Sequence, residues 1–176
     1  VPCKWRGISC IDGRVVSLDL AQMNITGYLS GALGMLSELR YINLSDNKLY
    51  GAVPQELSHC AALEVLDIGS NDLSGSLPSS IGNLSYLEVL DLTGNRLTGC
   101  IPRDVSSLIR LRELLLSENM LGCDIPTGLG SLHSLEQLLS LAIESSARFP
   151  RRSGISRGSW CFVWVATCCV AWFLLS

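Results

Sequence analysis

Leu39, Leu63, Leu87, Leu111 and Leu135 recur at intervals of 24 residues, and two further columns keep the same register. Asn47, Asn71, Asn95 and Asn119 form one. Pro54, Pro78, Pro102 and Pro126 form the other, each preceded by an aliphatic residue (Val53, Leu77, Ile101, Ile125). Three independent columns with one period mean internal repetition rather than a single globule. Within one unit, LRYINLSDNKLYGAVPQELSHCAA, Ile42 and Leu44 read as a short strand with every second side chain inward, and Gly51 and Pro54 as its end. Each unit has one apolar edge that it cannot bury alone, so neighbouring units must stack. The expected fold is an α/β repeat solenoid. Its strands form a curved parallel β-sheet on the concave side, and short helical or 3-10 segments lie on the convex side. The asparagines fall where the chain turns away from each strand, and their amides are expected to satisfy backbone groups internally, as a ladder.

Composition narrows the function. The chain is 48% hydrophobic and only 6% aromatic, so its apolar mass is aliphatic. Residues 1–139 hold nine Lys and Arg against fifteen Asp and Glu, a net −6 within a whole-chain charge of −3, and no basic face for nucleic acid is visible. Eight cysteines and three N-x-[ST] sequons, at Asn24, Asn43 and Asn83, point to secretion. With no initiator methionine and no signal peptide, the chain reads as a mature or partial product.

Groups for catalysis are few. His59 and His133 fall at non-equivalent repeat positions and are not expected to converge. Cys60 occupies the column of Leu84, Leu108 and Leu132 and is expected in the core rather than in a dyad with His59. No phosphate loop, kinase catalytic loop or zinc spacing is present, so no enzymatic activity, cofactor or metal is expected.

The pattern L-x-x-L-x-L-x-x-N-x-L-x-G-x-I/V/L-P resembles the plant-type leucine-rich repeat of receptor-like kinases, receptor-like proteins and polygalacturonase inhibitors. It covers residues 1–139, with repeats at 15–38, 39–62, 63–86, 87–110 and 111–134 and a sixth begun at Leu135. The first repeat departs at Met23, where asparagine is expected, and the fifth at Cys123, where Gly99 stands one unit earlier. PCKWRGISC resembles the family's amino-terminal cap, which implies a cap over 1–14 with a Cys3–Cys10 disulfide pinning Trp5 over the exposed leucines. Cys100 and Cys123, 23 apart in adjacent coils, allow an inter-coil disulfide, two free thiols being the alternative.

The resemblance implies an extracellular or cell-surface module that binds a protein or peptide ligand, or a receptor-like kinase partner. A secreted polygalacturonase inhibitor and a non-functional truncated fragment are the alternatives. The expected contact surface is the concave face: Tyr41, Val65 and Val89 as the sole exposed apolar stripe, then Asp67, Asp91 and Glu113, with a glycan at Asn43 covering part of it.

After Leu139 the register is expected to fail, with Ser140 in a strand leucine position and Ile143 in an asparagine position. Residues 140–176 read as a divergent tail, a basic stretch followed by an apolar segment at 160–175. Three readings compete: a membrane anchor with its arginines on the wrong side, a glycolipid-anchor signal near Ser145, Ser146 and Ala147, and a product of altered reading frame.

Overall fold

A computed structural model describes residues 2–139. Its strands, in chain order, are β1 (Ile8–Ile11), β2 (Arg14–Asp19), β3 (Thr26–Tyr28), β4 (Tyr41–Asn43), β5 (Lys48–Gly51), β6 (Val65–Asp67), β7 (Asp72–Ser76), β8 (Val89–Asp91), β9 (Arg96–Gly99), β10 (Glu113–Leu115), β11 (Met120–Leu121) and β12 (Gln137–Leu139). Seven of them form one sheet, β1-β2-β4-β6-β8-β10-β12, parallel except for the β1–β2 hairpin. From β2 onward its pairings advance by the sequence period: Ile42 faces Leu66, Leu66 faces Leu90, and Leu114 faces Leu138. Every coil therefore sends the same column inward, and Leu66, Leu90 and Leu114 are wholly buried.

A second sheet departs from the expectation that Gly51 and Pro54 merely end a strand. The N-x-L-x-G stretches form β3, β5, β7, β9 and β11, paired in that order. Here the register advances by 22 residues, Tyr28 opposite Tyr50 and Tyr50 opposite Asp72. Each inward leucine of this sheet (Leu49, Leu73, Leu97, Leu121) is buried against the same core.

The convex side is built from 3-10 turns at Gly31–Met35, Gln55–His59, Ser79–Asn83, Arg103–Ser107 and Thr127–Ser131. Pro54, Pro78, Pro102 and Pro126 stand at the N-cap of the last four, where their fixed φ sets the entry to the turn. Each of these buries one aliphatic side chain, Leu57, Ile81, Val105 or Leu129. Neighbouring turns approach so closely that a Cβ at Gly82 would fall on the Asp104 carbonyl oxygen. Glycine there lets the convex layer keep pace with strands about 4.8 Å apart.

The asparagine ladder lies between the two sheets. Asn71 Nδ2 donates to the carbonyls of Leu44 (3.0 Å), Ile68 (3.2 Å) and Gly69 (2.9 Å), and its Oδ1 accepts from the Leu49 N–H (2.9 Å). Asn47, Asn95 and Asn119 repeat the scheme, each Oδ1 taking an N–H of the preceding coil's second-sheet strand (Ile25, Leu73, Leu97). This explains Met23: an asparagine there would serve a residue 22 places earlier, ahead of the first coil. The residue before the ladder is left-handed in every coil, with Gln22, Asp46, Ser70, Gly94 and Glu118 at φ 51 to 65°.

The cap is not arranged as its tryptophan suggests. Cys3 and Cys10 are disulfide-bonded, Cα–Cα 5.6 Å, but Trp5 is 68% exposed and does not plug the terminal coil. Ile8 and Cys10, on β1, pack on the core instead, because the β1–β2 hairpin extends the sheet over the first coil. Cys100 and Cys123 also form a disulfide, Cα–Cα 4.9 Å. Cys123 stands in the column of Gly51, Gly75 and Gly99, and the second sheet ends just before it, at Leu121. The bond therefore joins the coils where the strand ladder stops.

Among the described residues no helix is long and apolar enough to cross a membrane. Ser140, Ile143, the basic stretch and the segment 160–175 lie outside the described residues.

Candidate binding surface

The concave face is made by strand residues that alternate with the buried leucines. Tyr41, Val65, Val89 and Glu113 are cross-strand neighbours in one column, which Ser17 and Gln137 complete. Asp19, Asn43, Asp67, Asp91 and Leu115 form the next column. All six residues singled out in the sequence thus share one surface. Tyr41, Val65 and Val89, however, are half-buried, since side chains on strands so close together cover one another's flanks. They are not the sole apolar stripe, because the large exposed hydrophobics lie elsewhere, among them Tyr28, Tyr50, Tyr86, Ile109 and Met120.

The polar column is held rigidly. Asn43, Asp67 and Asp91 each use Oδ1 to accept the N–H two residues on, from Ser45 (3.1 Å), Gly69 (3.1 Å) and Thr93 (2.8 Å). A Cβ at Gly69 would lie 3.3 Å from Asp91 Oδ1 and 3.4 Å from Asp67 Oδ1, so two carboxylates border the gap left by this glycine. Burial pushes the Asp67 carboxyl above the ordinary range and the charge of Asp91 adds to this, against the pull of the Gly69 N–H. A carboxyl harder to ionise in the folded than in the unfolded state costs stability above its folded pKa. That cost fades as pH falls through the raised value towards the ordinary one. Asp67→Asn keeps the acceptor for Gly69. Its melting temperature at neutral pH is expected to exceed the parent's slightly, and the gap to shrink in acid, as thermal unfolding across pH will show.

Two features of this side escape a reading by columns of leucine. Along one margin of the sheet run ion pairs Arg40–Glu64 (3.1 Å), Arg112–Glu88 (3.6 Å) and Arg112–Glu136 (3.9 Å), exposed and individually of small worth. On the second sheet, Tyr28 and Tyr50 meet edge to face with centroids 5.2 Å apart. The signal for both is present, as charges one residue before each concave strand and as aromatic residues flanking the N-x-L-x-G leucine.

Chemistry has no seat here. Among the described residues no three His, Cys, Asp or Glu side chains are placed to hold a metal. His59 is exposed and its neighbour Cys60 wholly buried, the thiol donating to the Leu33 carbonyl (3.2 Å), and burial pushes its pKa up. A thiol so placed is a poor nucleophile.

Known proteins match this architecture. A "Leucine rich repeat" model matches residues 13–73, and a "Leucine-rich repeat region" model matches 72–151. The ectodomain of the receptor kinase SOBIR1 from Arabidopsis thaliana is similar at 34% identity and TM-score 0.73, over 85% of this chain and 86% of that one. The plant peptide hormone receptor RGFR1, solved in complex with RGF2, is similar at 34% identity and TM-score 0.71, over 72% of this chain and 20% of the receptor. The receptor-like kinase TMK4 of Arabidopsis thaliana is 40% identical over 52 residues, which are 30% of this chain and 6% of the kinase. The chain spans 5% to 9% of the length of such curated relatives.

Proposed function

The chain belongs to the leucine-rich repeat family, in the form carried by plant receptor-kinase ectodomains, and on that premise we propose that it is an extracellular recognition module, without catalysis of its own, for a peptide or a receptor-kinase partner. The division proposed with it is a cap at 1–14, repeats at 15–139 and a tail at 140–176. Attachment to the plasma membrane through 160–175 is part of the same proposal.

The observation that carries this reading is the pairing of an apolar with an acidic column on one rigid concave sheet. An extended peptide laid across the strands can rest aliphatic or aromatic side chains on Tyr41, Val65 and Val89. A lysine, arginine or amino terminus then reaches the gap at Gly69 between Asp67 and Asp91. RGFR1, a peptide hormone receptor, offers the precedent for a peptide partner.

The test is selection of a random-peptide phage library on the secreted chain, with Val65→Arg as counter-target. The expected result is enrichment of sequences that carry a basic residue near apolar ones and that the variant, still folded by circular dichroism, does not retain. Enrichment unaffected by Val65→Arg, or no enrichment on either, would overturn the concave site.

A further inference from the structure

The first sequon lies beside the most exposed aromatic pair of the molecule. Asn24 stands two residues before Thr26, the first residue of β3, and β3 is the outermost strand on its side of the second sheet. Asn24, Thr26 and Tyr28 are exposed and alternate with the half-buried Ile25 and Gly27, so the three share one face. Tyr28 is 71% exposed and Tyr50, packed against it from β5, 45%. Two bare rings at an unpaired strand edge invite association with other chains. Tyr86, three residues after the sequon at Asn83, is different, for the Arg110 guanidinium already sits 4.4 Å over its ring. Asn43 differs too, half-buried on the concave sheet with Oδ1 held by the Ser45 hydroxyl (2.7 Å).

We propose that Asn24 carries an N-linked oligosaccharide whose sugars lie over the Tyr28–Tyr50 pair and the open edge of β3. In the transfer, Asn24 Nδ2 bonds to the anomeric carbon of a lipid-linked diphosphate oligosaccharide. The bond from that carbon to the diphosphate oxygen breaks, the lipid diphosphate leaves with the electron pair, and Nδ2 gives up one proton. Tyr28 lies four extended residues from Asn24, about 13 Å, within the span of an oligosaccharide of several sugars. The apolar C–H faces of pyranose rings suit the tyrosine rings while their hydroxyls stay in water. The glycan then shields the one flank of the solenoid where an aromatic cluster meets an unpaired strand, and leaves the concave face bare.

The inference rests on passage through the secretory route, as does the extracellular reading above. The full chain is secreted from a eukaryotic cell, its glycopeptides are mapped by mass spectrometry, and hydroxyl-radical footprinting compares it with amidase-treated protein, Thr26→Ala and Thr26→Ser. Met120, 58% exposed on the far strand of the same sheet, is the internal control. Expected are an occupied Asn24 and severalfold slower oxidation of Tyr28 and Tyr50 in the parent and in Thr26→Ser. That protection should vanish after amidase treatment and in Thr26→Ala, with Met120 unchanged throughout. An unmodified Asn24 in secreted chains whose other sequons are occupied would sink the inference and leave the extracellular reading intact. An occupied Asn24 with no protection of the tyrosines would sink it too.

Discussion

Replacing Asn71 by alanine is expected to lower the stability of the folded chain by about 4 kcal/mol, since each buried polar group left without a partner costs about 1–3 kcal/mol. Its amide satisfies three carbonyls and one N–H. These belong to two coils and to both sheets, and alanine leaves a space with no route for water. Asn71→Asp keeps the acceptor for Leu49 but turns a carboxylate on three carbonyl oxygens. Its loss is expected to match that of alanine at neutral pH and to diminish in acid, when the protonated group regains one donor. Urea unfolding at two pH values measures both. A cost below about 1 kcal/mol for Asn71→Ala, the worth of a single ordinary hydrogen bond, would show that leucine packing alone couples the sheets.

The same ladder marks what was legible in the sequence. Burial is periodic, so the inward leucines, the asparagines and the prolines announced the coil, its period and its core. The second sheet was hidden because its strands carry a single inward residue each, Leu49 in KLYG and Leu97 in RLTG, too little to show alternation. Its register of 22 against 24 arises only once the coils are stacked. The concave columns were read correctly as columns but not in their exposure, because half-burial of Val65 and Val89 depends on neighbours 24 residues away in the chain. Outward positions have no shared apolar requirement, so the ion pairs and the Tyr28–Tyr50 pair leave no column to find.

Trp5→Ala is expected to change stability by no more than about 0.5 kcal/mol, as for other exposed positions, whereas Gly7→Ala, two residues on, is expected to cost about 3 kcal/mol. The family's cap pattern draws the eye to the tryptophan, yet its ring is 68% exposed. Gly7 is where the cap touches the first coil: its carbonyl accepts from the Asp19 N–H (2.7 Å). A Cβ there would fall on the Asp19 carbonyl oxygen. Its φ of 79° adds the left-handed penalty of about 1–2 kcal/mol that any L side chain pays. Because the contact is backbone against backbone, no rotamer change relieves it, and the hairpin must lift from the core with Ile8 and Cys10. The Cys3–Cys10 disulfide cannot compensate, since it closes the cap on itself and does not tie it to the repeats. Thermal unfolding of the two variants, with hydrogen exchange at β1 and β2, separates the cases. A stable Gly7→Ala beside a destabilised Trp5→Ala would mean that the tryptophan packs on the terminal leucines after all, as the sequence first suggests. The opposite ranking assigns the cap's grip to one glycine and the strand it releases, the same economy by which Gly82 lets the convex turns close together.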